Sequence, residues 1–519
     1  MTQTKVTAKR KVGAIRSLLD EEAAVQAILE AGLLDQERAK AHVKNIAHQL
    51  FVYEKNVVHK KLLQDMKDGL LPVDKPMEAT RVDQEFEIAM VTKNFLPKQL
   101  YSLFSEWTTL TSKVVHVSES SDYVTTKLLI ELQSGDRIES VILRHNKRTT
   151  LCVSSQVGCK MGCAFCATGT LGQRANLTAG EIQEQLFHAN RFLKVSKEPR
   201  DITNIVFMGM GEPLNNYSCV VSAVSAMTDP GRFGLAPGKV TISTVGVTNR
   251  MRMLFKDLPG VSLALSLHAP NQELRQKIIP TASAYPIEKL MDAVREWLDS
   301  ASAIQHNQYI MIEYILLSGV NDMPELAHEL AQLLDPIRSR VKVNLIPYNP
   351  IFNPEGLAKT FVPPPAEDVE RFRSILQFDH DIFCTVRTEM GQDVNGACGQ
   401  LACISEQAEK KNVDIEDLYQ TRKVNVLYNP ETGQNIHKES RTKRRRGRSS
   451  TVGSDVSGAG EASIVGKLTS WVDRVVYDDE GELRTLVKPL SVSAVLVGLG
   501  VVAYAAFKLI PNRNSSSRA

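Results

Sequence analysis

The sequence predicts an α/β fold built around a partial parallel barrel, and three observations predict it. Between residues 150 and 390, strand-like runs alternate with helix-like ones, the order a parallel sheet with crossover helices requires. The strand-like runs are TTLCVSS, NIVFMGM, KVTISTV, VSLALSL, YIMIEYIL and VKVNLIPY. These make six βα units, where eight would close a barrel. Residues out of keeping with a buried strand cluster where each run ends: Met208 to Glu212, Ser243, Ser266 to His268, and Asn349. Barrels of this kind carry their chemistry at that end.

The elements before the barrel follow from periodicity. Residues 18–70 hold apolar side chains at three- and four-residue spacing, in LLDEEAAVQAILEAGLL and AHVKNIAHQLFVYEKNVVHKKLLQDM, and predict helices. A short helical unit at 90–107 completes an N-terminal helical accessory region over 1–107. In 108–149 the stretches SKVVHVS, YVTTKLLIEL and RIESVILR alternate, with Gly135-Asp136 as a turn, which reads as a β-hairpin linker region. The catalytic region spans 150–405, its crossover helices including AGEIQEQLFHANRFL, PIEKLMDAVREWL and PELAHELAQLL.

Beyond the barrel the pattern fades. The segment 406–463 contains a basic run, RTKRRRGR at 441–448, for which a nuclear signal, an RNA contact or solvated charge fit alike. A Gly/Ser-rich linker, TVGSDVSGAGEAS, follows. The extension 464–519 includes a candidate membrane anchor at 490–507, LSVSAVLVGLGVVAYAAF, between Lys488 and Lys508. Its length is near the lower limit of about 17 residues for a span. The competing reading is an apolar helix buried against a partner. Residues 1–18 are basic and free of acids, fitting a transit peptide or a solvated arm, and lack the apolar core of a secretory signal.

Composition narrows the function classes. The formal net charge of +3 does not mark a bulk nucleic-acid binder, so RNA contact rests on local basic residues such as Lys147, Arg148, Arg174, Arg250 and Arg252. Eight cysteines in 519 residues are too few for a secreted disulfide framework, and six of them crowd into 152–166 and 398–403. That clustering indicates a site in a reducing compartment, cytoplasmic or organellar.

Cys159, Cys163 and Cys166, in GCKMGCAFCATG, have the spacing C-x3-C-x2-C. Three thiolates so close together hold three irons of a cubane [4Fe–4S] cluster and leave the fourth for a small molecule. Structural zinc closes a four-ligand shell, and the nearest further cysteine, Cys152, is seven residues back. Gly158, Gly162 and Gly169 flank the run, suiting a backbone wrapped around a cluster. The motif resembles that of radical S-adenosylmethionine (SAM) enzymes, where SAM takes the open iron and is cleaved to a 5′-deoxyadenosyl radical.

Six motifs in order, TLCVSSQVGCKMGCAFCATG, NIVFMGMGEPLNN, VTISTVGV, LALSLHAPN, VNLIPYNP and NGACGQLA, resemble the dual-specificity RNA methyltransferase RlmN family over roughly residues 20–405. That family makes 2-methyladenosine in large-subunit ribosomal RNA and in some transfer RNAs. The resemblance implies a partial (βα)6 radical-SAM barrel, the [4Fe–4S] cluster on Cys159, Cys163 and Cys166, and two SAM molecules per turnover. It implies Cys398 as methyl carrier, Cys152 as resolving thiol and Glu139 as the base for the adenine C2 proton. Gly211, Glu212, Ser243, Ser266, Leu267, His268 and Asn349 match SAM-contacting positions, with Tyr348 before Asn349 where tryptophan is often expected. A flavodoxin-like or ferredoxin-like electron donor and a thiol reductant are implied as partners. Two alternatives stand beside this reading: an adenosine C8 methyltransferase using the same cysteines, and a non-catalytic, membrane-tethered iron–sulfur protein.

Overall fold

The computed structural model describes residues 16–67, 97–104, 107–196, 199–302, 308–351, 354, 356–388 and 390–401, and a hairpin at 426–429 and 434–437. Met1–Val424 and Asn425–Ala519 are separate compact units. The basic run 441–448, the Gly/Ser-rich linker and the apolar stretch 490–507 lie outside the described residues. Among the described residues no helix is long and apolar enough to cross a membrane.

Two short strands, β1 (Arg16–Ser17) and β2 (Trp107–Thr108), pair in parallel and bracket the N-terminal helices. The helix Glu21–Glu30 is followed by Gln36–Tyr53, whose first turn is capped by Asp35 accepting from the Arg38 amide at 2.9 Å. One π-helical turn, Glu54–Val58, carries this helix into His59–Lys67. Their apolar stripes close on a small core that includes Ile28, Ile46, Leu50, Phe51 and Trp107.

The main sheet has ten strands. Its parallel part runs β6 (Thr149–Cys152), β9 (Asn204–Phe207), β10 (Val240–Thr244), β11 (Ser262–Ser266), β12 (Ile310–Leu316), β13 (Val341–Pro347) and β14 (Cys384–Val386). The last is a seventh parallel strand beyond the six read from sequence. It is only three residues long, too short to stand out as a hydrophobic run. At the other edge β5 (Arg137–Arg144), β4 (Thr125–Glu131) and β3 (Lys113–Glu119) extend the sheet antiparallel from β6. Residues 113–144 are therefore continuous with the barrel sheet. Gly135, at φ +79°, makes the turn between β4 and β5. A separate two-stranded hairpin, β7 (Gln156–Cys159) with β8 (Gly172–Asn176), projects after β6. In the second unit β15 (Val426–Asn429) pairs antiparallel with β16 (Gln434–His437).

One helix joins the N-terminal core to the sheet. Ala179–Val195 starts at a reciprocal cap, in which Thr178 accepts from the Glu181 amide and Glu181 from the Thr178 amide. Its polar run Glu181, Gln183, Glu184, Gln185 would ordinarily mark a solvated face, yet all four are buried. Glu184 accepts from the amides and hydroxyls of Thr111 and Ser112. Gln185 bonds Ser154 through both its amide atoms and accepts from Ser140 on β5. Arg191 binds both carboxylate oxygens of Glu54 at 2.7 Å, inside the protein. Burial would raise Glu54, but the Arg191 charge and hydrogen bonds hold its pKa down at about 2. His188 is pushed down to about 3 by burial and then by Arg191.

Both shifts have the same sign. Each group's folded pKa lies below its unfolded value, 6.5 for His188 and 4.5 for Glu54, so each contributes stability that falls as pH drops through that window. Thermal stability should therefore fall first as pH drops from 6.5 towards 3, and further from 4.5 towards 2. Glu54→Gln leaves Arg191 buried without its counter-ion and should cost about 3–5 kcal/mol in denaturant unfolding at pH 7. A loss below about 1 kcal/mol would mean the pair does not hold the two cores together.

Candidate active site

Strand register decides what can meet. Residues paired across a sheet share a face, as do residues two apart on one strand. Val141 lies opposite Cys152, and Cys152 opposite Val206. Val206 lies opposite Thr241, Ser243 opposite Ala264, Ser266 opposite Glu313, Glu313 opposite Asn344, and Asn344 opposite Thr385. Following these pairs places Glu139, Cys152, Ser243, Ser266, Glu313, Asn344 and Arg387 on one concave face. A cavity of about 600 Å³ occupies that face, lined among others by Met208, Glu313, Asn344, Asn349, Arg387 and Cys398. This volume lies within the range of small-molecule sites.

The three clustered cysteines sit at the rim. Cys159 ends β7, and Gly158 is there because a side chain's Cβ would fall 1.8 Å from the Gly172 carbonyl oxygen on β8. Burial raises the Cys159 thiol to about 12 and lifts Cys163 and Cys166 as well, with mutual repulsion adding to the burial at Cys159 and Cys163. Thiols grouped in this way stay protonated until a cation binds them, which suits them to irons. Among the described residues no three His, Cys, Asp or Glu side chains converge on a single-ion site. Ligands that each take a different iron of a cubane need not converge in that way. The three cysteines therefore fit the cluster.

The residues matched to SAM contacts gather at the ends of neighbouring strands. Glu212 is buried, and its two carboxylate oxygens accept from the Leu214 and Val245 amides at 3.0 and 2.9 Å. Burial raises its pKa, and its charge acts on Cys159 and Cys163. Each oxygen keeps a lone pair for an ammonium group. Gly211, at φ +105°, has the Gln156 Cβ 2.6 Å from where its own Cβ would be. Ser243 and Ser266 hydroxyls lie 3.2 Å apart. His268 has positive φ, accepts the Ile315 amide on Nδ1 at 3.0 Å, and stacks edge-on to Phe165 of the cysteine loop at 4.8 Å. Burial, then the charge of Arg275, pushes its pKa to about 3, so it is a neutral donor through Nε2. Leu267 differs from its neighbours. Its side chain is in the core, its amide donates to the Glu313 carbonyl, and its own carbonyl accepts from Arg275.

The Cys398 segment is stitched to this site from three sides. Asn349 accepts from Gln392 at 2.9 Å and its amide lies 3.4 Å from the Cys398 carbonyl. Ala167 donates to the Gly399 carbonyl, and Thr168 to the Leu401 carbonyl, joining the segment to the cysteine loop. Gln400 donates to Pro350. Asn349 thus positions the Cys398 turn as well as standing near the cavity. Cys152 is buried, and burial followed by the Cys398 charge raises it to about 12. Both cysteines are free thiols here.

Glu139 is placed differently from the rest. It is buried and already paired, with Lys127 of β4 at 3.0 Å; of the catalytic and SAM-contacting residues read from sequence, Asn349 and Cys398 line the cavity itself. Sequence reading missed Arg387 and Glu313 altogether. Arg387 and Cys398 line the same cavity, Arg387 donates to the Met208 sulfur at 3.9 Å, and its pKa is raised first by Cys398, against burial, then by Glu313 and Cys152. Glu313 accepts from Asn344 at 2.8 Å. The Arg387 signal was faint because β14 is so short; Glu313, a charge inside YIMIEYIL, is a departure from the apolar run that was legible. Of the basic residues weighed for RNA, Arg174 pairs with Asp136, Arg252 with Glu296, and Arg250 lies over the Tyr217 ring. Arg148 lines the cavity.

Residues 153–330 match the radical SAM superfamily. The chain is 41% identical over 315 residues to the ribosomal RNA large subunit methyltransferase N of Nitrosopumilus maritimus, covering 59% of this chain and 85% of the relative. It is 35% identical over 338 residues to a probable dual-specificity RNA methyltransferase RlmN of Streptococcus agalactiae, covering 65% and 85%. A crystal structure of a radical SAM methyltransferase from Sphaerobacter thermophilus superposes with a TM-score of 0.58 at 32% identity, over 74% of this chain and 99% of that one. The chain belongs to the RlmN family of radical SAM RNA methyltransferases, enzymes that work with a [4Fe–4S] cluster and SAM.

Proposed function

We propose that the protein methylates carbon 2 of adenosine in large-subunit ribosomal RNA, and in transfer RNA, through a methyl group carried on Cys398. The observation that carries this reading is the meeting of Cys398, Arg387 and Cys152 beside the three-cysteine loop. Two non-cluster thiols sharing one cation are what a carrier and a resolving group require, and a SAM enzyme that methylates by direct displacement needs neither.

Cys159, Cys163 and Cys166 would hold the cluster, which would supply the one-electron chemistry for reductive SAM cleavage. The protein's own residues do the rest. Glu212, Ser243, Ser266, His268 and the Gly211 backbone hold SAM at the strand ends. The Cys398 sulfur takes a methyl group from one SAM, and Arg387 orients that sulfur. The methyl group would give a hydrogen atom to the deoxyadenosyl fragment of a second SAM and join carbon 2 of the adenine through its own carbon, the adduct's surplus electron passing back to the one-electron centre. Glu139 receives the C2 proton, for which its ion pair with Lys127 must open. Cys152 then attacks the Cys398 sulfur and frees the product as the two form a disulfide. An electron donor of flavodoxin or ferredoxin type and an external thiol reset the site.

The test uses anaerobically reconstituted protein, methyl-labelled SAM, a reductant and unmodified ribosomal or transfer RNA, read by nucleoside mass spectrometry. Label should appear in 2-methyladenosine and vanish in Cys398→Ala. Label in 8-methyladenosine would keep the carrier chemistry and overturn the regiochemistry. Cys152→Ala should accumulate a covalent protein–RNA species that migrates slowly on a denaturing gel. Arg387→Ala removes the buried cation that shares the cavity with the Cys398 sulfur and should slow methylation of the Cys398 peptide about tenfold, a loss of about 1.4 kcal/mol of transition-state stabilisation. Reductive SAM cleavage in that variant should change little.

A further inference from the structure

Arg275 lies on the helix Gln272–Ile278, whose first turn is capped by Asn271 accepting from the Leu274 amide at 2.9 Å. It is fully buried, with 0% of its surface exposed. Its guanidinium donates to three carbonyls: Leu267 at 3.1 Å, Val245 at 2.5 Å and Tyr285 at 3.4 Å. Two of these carbonyls follow the ends of β10 and β11, where the SAM-contacting residues stand. Burial lowers its pKa to about 10, which leaves it charged at neutral pH.

A buried guanidinium normally has an anion beside it, because burying an unpaired charge is costly. Among the described residues no carboxylate bonds Arg275. Leu274 and Ile278, on either side of it in this helix, pack in one apolar cluster with Phe165 and Cys163 of the loop, and the charge of Cys163, its middle cysteine, favours the ionised guanidinium. The same helix reaches that loop through its last residue, since the Ala164 amide donates to the Ile278 carbonyl at 2.8 Å. The His268 ring, influenced by Arg275, also packs on Phe165 of the loop.

We propose that Arg275 is the charge partner of the iron–sulfur cluster and sets how readily the cluster is reduced, acting through Cys163. The inference rests on the assignment of Cys163 as a cluster ligand. Adding an electron makes the cluster more negative. A fixed buried cation beside it favours the reduced form, and the low-dielectric surroundings screen that attraction little. Arg275 is thus a positioning residue for the cluster's charge as well as a clamp on the two strand ends.

The experiment is a redox titration of the reconstituted full chain without SAM, followed by the electron paramagnetic resonance signal of the reduced cluster. Arg275→Gln, which retains hydrogen-bond donors but not charge, should lower the ratio of reduced to oxidised cluster at a fixed potential about tenfold, a shift of about 59 mV for one electron. Arg275→Lys should restore most of it. An unchanged potential in Arg275→Gln with normal iron content would overturn the inference while leaving the ligand assignment intact, as would equal shifts in both variants. Unchanged potential with weakened SAM binding would assign Arg275 to SAM instead. Cys163→Ala retaining a full cluster would overturn the ligand assignment itself. Iron content and visible absorbance of each variant separate failure to fold from a change in potential.

Discussion

Everything at this site depends on the two-residue period of a continuous sheet. Because alternate residues of each strand face one concavity, side chains from β5 through β14 that are far apart in the chain share a single space. Cys152, Glu313 and Arg387 come from three strands, yet the register leaves them no other face. A slip of one residue in any strand would turn its polar groups outward and bury its apolar ones in the cavity. The apolar residues of the opposite face, among them Leu151, Ile205, Ile242 and Leu265, pack into the main core and make such a slip expensive.

The antiparallel strands β3 to β5 make the site larger than a minimal barrel. They carry Glu139 and Lys127 on the same face as Cys152, and Thr125 of β4 packs against Gly391 and Gly396 of the Cys398 segment. At Gly391 a Cβ would lie 2.4 Å from the Thr125 methyl group, so no side chain fits there without displacing the segment. The path of the chain to Cys398 is thus set by packing on the sheet extension, by Asn349, and by the cysteine loop itself.

Buried polar groups tie these parts together. The helix Ala179–Val195 reaches the N-terminal core through Arg191, the segment before β3 through Glu184, and the turn after β6 through Gln185. Each of these groups is bonded, as burial demands. The consequence is a link from the accessory helices to Ser154, two residues from Cys152. Removing one partner would leave the other desolvated and alone.

The sequence by itself determined the family and the cofactors it works with. Cys159, Cys163 and Cys166 are close in the chain, so their spacing alone limits what they can hold, and six ordered motifs mark the family. Strand and helix alternation sufficed for the α/β class, since both periods are local properties of the chain. The tertiary structure decided the rest. That residues 113–144 belong to the barrel sheet, that Glu139 is paired with Lys127, that Arg387 lines one cavity with Cys398, and that Arg275 is buried against the ends of two strands are all products of contacts between distant segments. A lone arginine or glutamate carries no local pattern, and its meaning appears only when burial removes water and leaves it a single kind of partner.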